Sequence, residues 1–345
     1  MSSTQQKYVR RWLWSGATLI FLMVVVGGIT RLTDSGLSMS DWSLIMGAIP
    51  PMNEAEWIAA FERYKEFPQY QQIYTGMSLA EFKTIFFWEY IHRLLGRVIG
   101  LVFLVPFAIF WVRGYFDSKM LRRAWILFGL GALQAAMGWI MVKSGLVDMP
   151  YVSHYRLAIH LVLAMILFGF CVWYALDLKP SKSFSKSTDI RSLKRWSIVL
   201  MVAFTAQVVW GAFTAGLDAG YMYNTFPTMD GGWLPQGAWV MQPVVANLVE
   251  NPGTVQWMHR IIGTALGLIA AGLWWKNRTS DVHQLLKQKG RMLLGIILVQ
   301  YVLGILTVIT NVQLLTAVVH QAGAMIVLFF WVWYYHELKS SWVKV

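Results

Sequence analysis

Cysteine is nearly absent from this sequence of 345 residues: Cys171 stands alone, inside an apolar run. No intrachain disulfide and no cysteine-based metal cluster can form. Charge is scarce too. Only 13% of residues are charged while 57% are hydrophobic, and the mean hydropathy is +0.50. A soluble domain carries about a quarter of its residues as charges, so these values point to an integral membrane protein. The first residues, Met1–Arg11, are short, polar and basic, and match neither a cleavable signal nor a transit peptide. They lead us to expect a bacterial inner membrane.

Long apolar runs are what the chain does have. A spanning helix needs about 20 residues, and eight segments meet that length. They are Trp12–Thr30, Thr84–Val112, Ala124–Met141, Leu157–Leu176, Trp196–Ala215, Val255–Trp275, Met292–Thr310 and Leu315–Tyr335. The formal charge of +12 is unevenly spread between them. The segments before span 1, after spans 2, 4 and 6, and after span 8 hold 20 of the 29 Lys and Arg. They hold only five acids: Asp117, Asp177, Asp189, Asp281 and Glu337. This is the positive-inside bias of a chain with both termini in the cytoplasm, and it excludes a nucleic-acid surface as the reason for the charge. Two outer loops are long. Leu32–Lys83 includes an acidic, aromatic run, Asn53–Tyr74, expected to form a short amphipathic helix at the interface. Gly216–Thr254 is rich in turn formers. The outer links between spans 3 and 4 and between spans 7 and 8 are short and predict tight hairpins.

The two halves of the chain echo each other. His92-Arg93-x-x-Gly96-x-x-x-Gly100-Leu101 recurs as His259-Arg260-x-x-Gly263-x-x-x-Gly267-Leu268. The end of span 1, from Gly27 through Thr30, Asp34 and Gly36, matches the end of span 5, from Gly211 through Thr214, Asp218 and Gly220. Gln134-x-x-x-Gly138 matches Gln300-x-x-x-Gly304, and His160 matches His320. Four echoes in one order predict two similar four-helix bundles, residues 1–178 and 196–345, joined by a cytoplasmic linker, residues 179–195. Four spans is an even number, so both halves lie the same way up, and a pseudo-two-fold axis should run along the membrane normal. The fold class is thus all-α, with eight transmembrane helices.

Ionisable groups inside a membrane segment are expensive and usually mark function. His92, His160, His259 and His320 fall in spans 2, 4, 6 and 8, each three to eight residues past the outer end, or roughly 5–12 Å deep at the helical rise. Two neutral imidazoles at matched depth suit the axial positions of a haem iron. Gly96 and Gly100, and likewise Gly263 and Gly267, stand four and eight residues after a histidine on roughly the same helix face. They leave room either for a macrocycle or for close helix packing. Arg93, Arg156 and Arg260 fit haem propionates or loop carboxylates equally well. His154 sits in a short outer loop; His283 and His336 belong to the basic side and are expected to be solvated or interfacial. Glu89 lies three residues before His92, where the second half has Gln256. Such a carboxylate would lie over the porphyrin edge and could stabilise charge or position water; its structural alternative is a salt bridge to Arg93 or Arg97. The Trp and Met residues read as interface anchors and packing.

The run Phe86-Phe87-Trp88-Glu89-Tyr90-Ile91-His92-Arg93 is similar to that of the haem A synthase family. So are Gly36-Leu37-Ser38-Met39-x-x-Trp42, Tyr155-Arg156-Leu157-Ala158-x-His160 and Asn224-Thr225-Phe226-Pro227-x-Met229-Asp230-Gly231. The chain most resembles the branch shared by proteobacteria and mitochondria, from span 1 to span 8. Another branch has a cysteine pair in the first outer loop, which this chain lacks. The resemblance implies oxidation of a ring methyl of haem O to the formyl of haem A for terminal oxidase assembly. It implies a substrate haem between His92 and His160, Glu89 as catalytic carboxylate, and haem b on the iron ligands His259 and His320. Implied partners are haem O, haem A, haem O synthase, the oxidase assembly apparatus and an unspecified electron acceptor. A di-haem electron-transfer protein of the cytochrome b561 kind is the rival, but such proteins usually place haems near both faces. A repeat-built transporter would need charges or broken helices at the midplane of both halves.

The charge bias predicts topology. A reporter active only in the cytoplasm should work when fused after Val345 or within Lys179–Arg195. Activity of the same reporter inserted in Asn53–Tyr74 would rule out the eight-span arrangement.

Overall fold

The structure, a computed structural model, describes residues 1–39, 49–145, 150–178 and 189–340. Trp42, the link between spans 3 and 4 at 146–149, most of the linker at 179–188, and the chain end from 341 lie outside the described residues. Among the described residues the fold is all-helical, with one isolated bridge, Met229 to Gly232, and no strand.

Eight long helices correspond to the eight predicted apolar segments: α1 (Ser3–Leu32), α4 (Leu79–Val112), α5 (Ser118–Gly145), α6 (His154–Asp177), α7 (Asp189–Gly216), α9 (Pro252–Thr279), α10 (Gln284–Ile309) and α11 (Leu314–Ser340). Three short ones, α2 (Glu54–Lys65), α3 (Pro68–Gln72) and α8 (Asn247–Glu250), lie in the two long loops. Seven of the long helices are long and apolar enough to cross a membrane. The helix outside that set is α9. It has the length, at 28 residues, but carries Gln256, His259 and Arg260 along its first half.

Local chemistry sets the helix starts. Ser2 and Ser78 each close a capping box, with Gln5 and Glu81 reaching back to the cap backbone. Asn251 accepts from the amides of Gly253 and Thr254, and Pro252 occupies the first turn of α9, where its missing N–H is no loss. The ends of α1 and α7 use a shared device. Each runs into an aspartate in the left-handed region, Asp34 at φ 50° and Asp218 at φ 52°, followed by one 3-10 turn. Short polar side chains are the non-glycine residues that tolerate this conformation.

The predicted amphipathic helix at Asn53–Tyr74 is two helices, α2 and α3, and it does not stand alone at an interface. α4 begins at Leu79, five residues before the predicted start, and its first turns pack on α2. Trp57, Phe61, Tyr64 and Tyr70 meet Phe82 and Phe86 there, with the Phe61 and Phe82 rings stacked at 5.0 Å. Tyr64 is fully buried and bonds Gln69, whose amide donates to the carbonyl of Asp34. Tyr74 donates to Asp34, and burial pushes its phenol up to about 12.

Helix contacts match between the halves. α1 packs on α4 and α6; α7 packs on α9 and α11; α5 pairs with α6, and α10 with α11. The halves meet through α1 with α11, α6 with α7, and α6 with α11, around a core that includes Val24, Phe168, Val208 and Met325. The end of the bundle bearing the two long loops is tied by Arg31. It bonds Asp34 and Asp218 at 2.8 Å each and the carbonyl of Ala215 at 2.6 Å. Deeper in the bundle, Gln321 of α11 donates to the carbonyl of Val24 in α1 at 2.8 Å. The other end carries Lys289–Glu337 and Arg123–Asp177 pairs, and His336, expected to be solvated or interfacial, bonds Asp177 at 2.7 Å.

One glycine at the seam between halves has no slack. A Cβ on Gly216 would lie 2.8 Å from the Cα of His154, and backbone cannot swing aside. Gly216→Ala should therefore destabilise the protein by about 1–3 kcal/mol through overpacking. Gly129→Ala, which meets nothing within 4 Å, should leave the thermal midpoint in detergent unchanged. Equal midpoints for the two variants would show that α6 and α7 do not pack at this glycine.

Candidate haem sites

Each of the four histidines singled out in the sequence rests against a glycine of a neighbouring helix. A Cβ on Gly27 of α1 would lie 3.3 Å from His92 Nε2 of α4. A Cβ on Gly138 of α5 would lie 3.2 Å from His160 of α6. The same contacts, at 2.9 Å, link Gly211 of α7 to His259 of α9 and Gly304 of α10 to His320 of α11. Any larger residue at these four positions would occupy the space of an imidazole. The glycines Gly27, Gly138, Gly211 and Gly304, read from sequence as echoes between the halves, are thus imidazole seats.

A second layer holds three of the rings. The amide nitrogen of Gln207 lies 3.3 Å from His259 Nε2. That of Gln300 lies 3.2 Å from His320 Nδ1 and donates to the His320 carbonyl at 2.7 Å. That of Gln134 lies 3.3 Å from His160 Nε2 and donates to the His160 carbonyl at 3.1 Å. Nδ1 of His259 and of His160 is buried with no partner among the described residues. A buried polar atom without a partner is uncommon, and an imidazole nitrogen in that state is available to a metal.

These observations fit haem. The ring centres of His259 and His320 lie 6.4 Å apart with planes at 89°. One metal ion, with an imidazole bond of about 2 Å on each side, occupies a gap of that width. No group of three or more His, Cys, Asp or Glu able to hold a metal exists among the described residues. Paired imidazoles supply axial ligands alone, so the remaining ligands must arrive with the metal, as a macrocycle provides. Beside Gly100 and Gly267 there is open space in both halves.

Glu89 and Gln256 occupy matching places and do matching structural work. Glu89 is buried. It accepts from Ser38 Oγ at 2.7 Å, from the Met39 amide at 2.8 Å and from Arg93 at 2.5 Å. Arg93 also donates to the Met39 carbonyl. Gln256 donates to the Tyr223 carbonyl at 2.9 Å, and Arg260 donates to the carbonyls of Tyr223, Thr225 and Thr228. Each pair clamps a segment of a long loop over its half. The salt bridge to Arg93 is therefore present, and the partners of Arg260 are loop carbonyls rather than loop carboxylates. Arg156 is half-buried at the start of α6 and forms no ion pair among the described residues. His154 begins α6 and lies 3.8 Å from Glu250, with its ring against Phe213. His283 caps α10 by accepting from the Leu285 amide. Sequence reasoning noted Gln134 and Gln300 as echoes of each other and missed their contact with histidine. It missed Gln207 and Ser38 in the site altogether. The spacing Gln-x-x-x-Gly, present also at Gln207 and Gly211, was the available signal.

An all-α bundle of apolar helices with imidazole pairs on facing helices defines a haem-handling membrane protein. The chain belongs to the COX15-CtaA family, described as cytochrome oxidase assembly protein, whose model matches residues 10–332. It is 44% identical over 337 residues to "Heme A synthase" of Nitrosospira multiformis, covering 97% of this chain and 95% of the relative. It is 47% identical over 326 residues to "Heme A synthase" of Bradyrhizobium sp. strain ORS 278, covering 93% and 89%. It is 39% identical over 341 residues to "Heme A synthase" of Flavobacterium johnsoniae, covering 97% and 99%.

The second-half pair gives a direct test. His259→Ala and His320→Ala should each reduce or abolish a low-spin haem absorbance, because loss of one axial ligand opens the iron. A wild-type spectrum from both variants would show that these residues are not the ligands.

Proposed function

We propose that this chain is an oxidoreductase of the membrane that converts haem O to haem A, oxidising a ring methyl to a formyl group for terminal oxidase assembly. Residues 1–178 hold the substrate between His92 and His160. Residues 196–345 hold haem b on His259 and His320, and residues 179–195 link the halves. The relatives' shared name supports the reaction over nearly the whole chain. The observation that carries the division of labour is the one chemical difference between two matching clamps: Glu89 with Arg93 on one side, Gln256 with Arg260 on the other. The di-haem electron carrier is not favoured, since it calls for no carboxylate in one half alone.

Glu89 is one helical turn from His92 on the same face of α4. Its oxygens are fixed by Ser38, Met39 and Arg93, so the carboxylate does not have to reorganise when charge develops beside it. Oxidising a methyl group removes electrons and protons and adds one oxygen atom. A fixed carboxylate stabilises the positive charge left behind and orients the water that supplies the oxygen. The resident haem b, when bound, supplies one-electron chemistry for the electrons that leave. Gln256 adds no charge beside that cofactor.

We take α9 as the eighth span. Its length, its packing between α7 and α10, and the internal partners of Gln256, His259 and Arg260 support that reading. The paired helix contacts and the two left-handed aspartates support a pseudo-two-fold axis along the membrane normal. The basic segments support cytoplasmic termini in a bacterial inner membrane, which puts both haem sites near the outer face.

Glu89→Gln tests the mechanism. Arg260 is satisfied by loop carbonyls without a carboxylate, so Arg93 should be able to do the same and the fold should survive. The variant should keep its haem b spectrum and retain haem O or a partly oxidised haem. Haem A production should fall at least tenfold, equivalent to about 1.4 kcal/mol of lost transition-state stabilisation. Haem A formation at the wild-type rate would make Glu89 purely structural.

A further inference from the structure

The four imidazole seats share one construction, and one seat departs from it. Four residues before each seating glycine stands a side chain on the same helix face, one turn away. Before Gly138 it is Gln134; before Gly211, Gln207; before Gly304, Gln300. Each of those amides reaches a histidine ring at 3.2–3.3 Å. Before Gly27 it is Met23. The geometry shows that Met23 fills the place that Gln207 fills in the other half. A Cβ on Gly263, one turn after His259, would meet the Gln207 amide at 3.0 Å, and a Cβ on Gly96, one turn after His92, would meet the Met23 methyl at 3.3 Å. A thioether is only a weak acceptor for an imidazole N–H.

We infer that Met23, Gln134, Gln207 and Gln300 are positioning residues that set how firmly each half holds its haem, and that Met23 makes His92 the releasable ligand. With iron on one ring nitrogen the other carries the ring proton, and the amide, whose Oε1 is buried without a partner among the described residues in all three glutamines, turns to accept it; that contact restrains the rotation of the imidazole, the usual task of a group behind a metal-binding histidine. A ring so fixed loses little freedom on ligation and recaptures iron quickly after a bond breaks. His92 is seated against Gly27 without that restraint. Both rings of the C-terminal pair are held, as suits a resident cofactor. In the N-terminal pair His160 is held and His92 is not, as suits a site that must take in haem O and give up haem A at every turnover. This deepens the proposed function and rests on it.

The experiment follows haem leaving purified, haem-loaded protein for excess apomyoglobin, with the haems in each fraction separated by chromatography. In wild type, haem O and haem A should leave at least tenfold faster than haem b. Met23→Gln should slow the loss of haem O and haem A at least tenfold, raise the haem A retained per protein, and leave haem b loss unchanged. Met23→Leu should behave as wild type. Gln207→Met, which installs the residue that the other half already accommodates, should speed haem b loss at least tenfold without affecting haem O. It decides the matter by itself if Met23→Gln does not fold. A wild-type rate of haem loss in either folded variant overturns the inference while leaving the proposed reaction standing. A wild-type chain that carries no haem O or haem A overturns the proposed reaction, and this inference with it.

Discussion

A hydrocarbon interior offers no water to a polar group, so an imidazole placed there must find its neighbours within the protein. In this fold the neighbours come from the adjacent helix: a glycine to make room, and in three cases a glutamine amide one turn away. That requirement fixes which helix lies beside which. α4 must lie against α1 at Gly27, α6 against α5 at Gly138, α9 against α7 at Gly211, and α11 against α10 at Gly304. These are four of the packed helix pairs of the bundle. The contacts between halves then run through the surfaces left over, where α1, α6, α7 and α11 build the central core.

The two long loops are held by the same turns that present the histidines. Glu89 and Arg93 flank His92 and fasten Ser38 and Met39; Gln256 and Arg260 flank His259 and fasten the stretch from Tyr223 to Thr228. Loop closure and ligand placement therefore depend on one stretch of helix in each half. Two halves of similar design can then differ in chemistry by one side chain, carboxylate or amide, without rebuilding the clamp. A buried ion pair is weak evidence for stability by itself, because desolvation offsets much of the attraction. The second half fastens its loop with an amide and a guanidinium on backbone carbonyls, without a carboxylate in the clamp.

The residues that give α9 its proposed role also remove it from the set of apolar spanning helices. Gln256, His259 and Arg260 lie on one side of α9, and all three have partners inside the bundle. A measure of hydropathy along the chain counts them as though they faced lipid. The structure turns them inward, where the polar groups are satisfied and the apolar remainder, Ile261 and Leu268 among it, stays exposed.

The sequence by itself determined the eight long helices, the positive bias of alternate loops, the repeat and the four histidines, because these follow from hydropathy, helix length and spacing along one chain. It also singled out Glu89 against Gln256, a difference visible in two aligned strings. It did not determine where α4 begins, because the first turns of that helix are held by the aromatic packing of α2, which is a contact between distant segments. The partners of Arg93 and Arg260 were decided only in three dimensions: carboxylate and backbone carbonyl for one, carbonyls alone for the other. The same holds for Met23 and Gln207. In the sequence they are an ordinary apolar residue and an ordinary amide in two apolar runs. Only the approach of α1 to α4 brings Met23 to Gly96, one turn after His92, and only that of α7 to α9 brings Gln207 to His259, because side chains from different helices meet by packing and not by their distance along the chain.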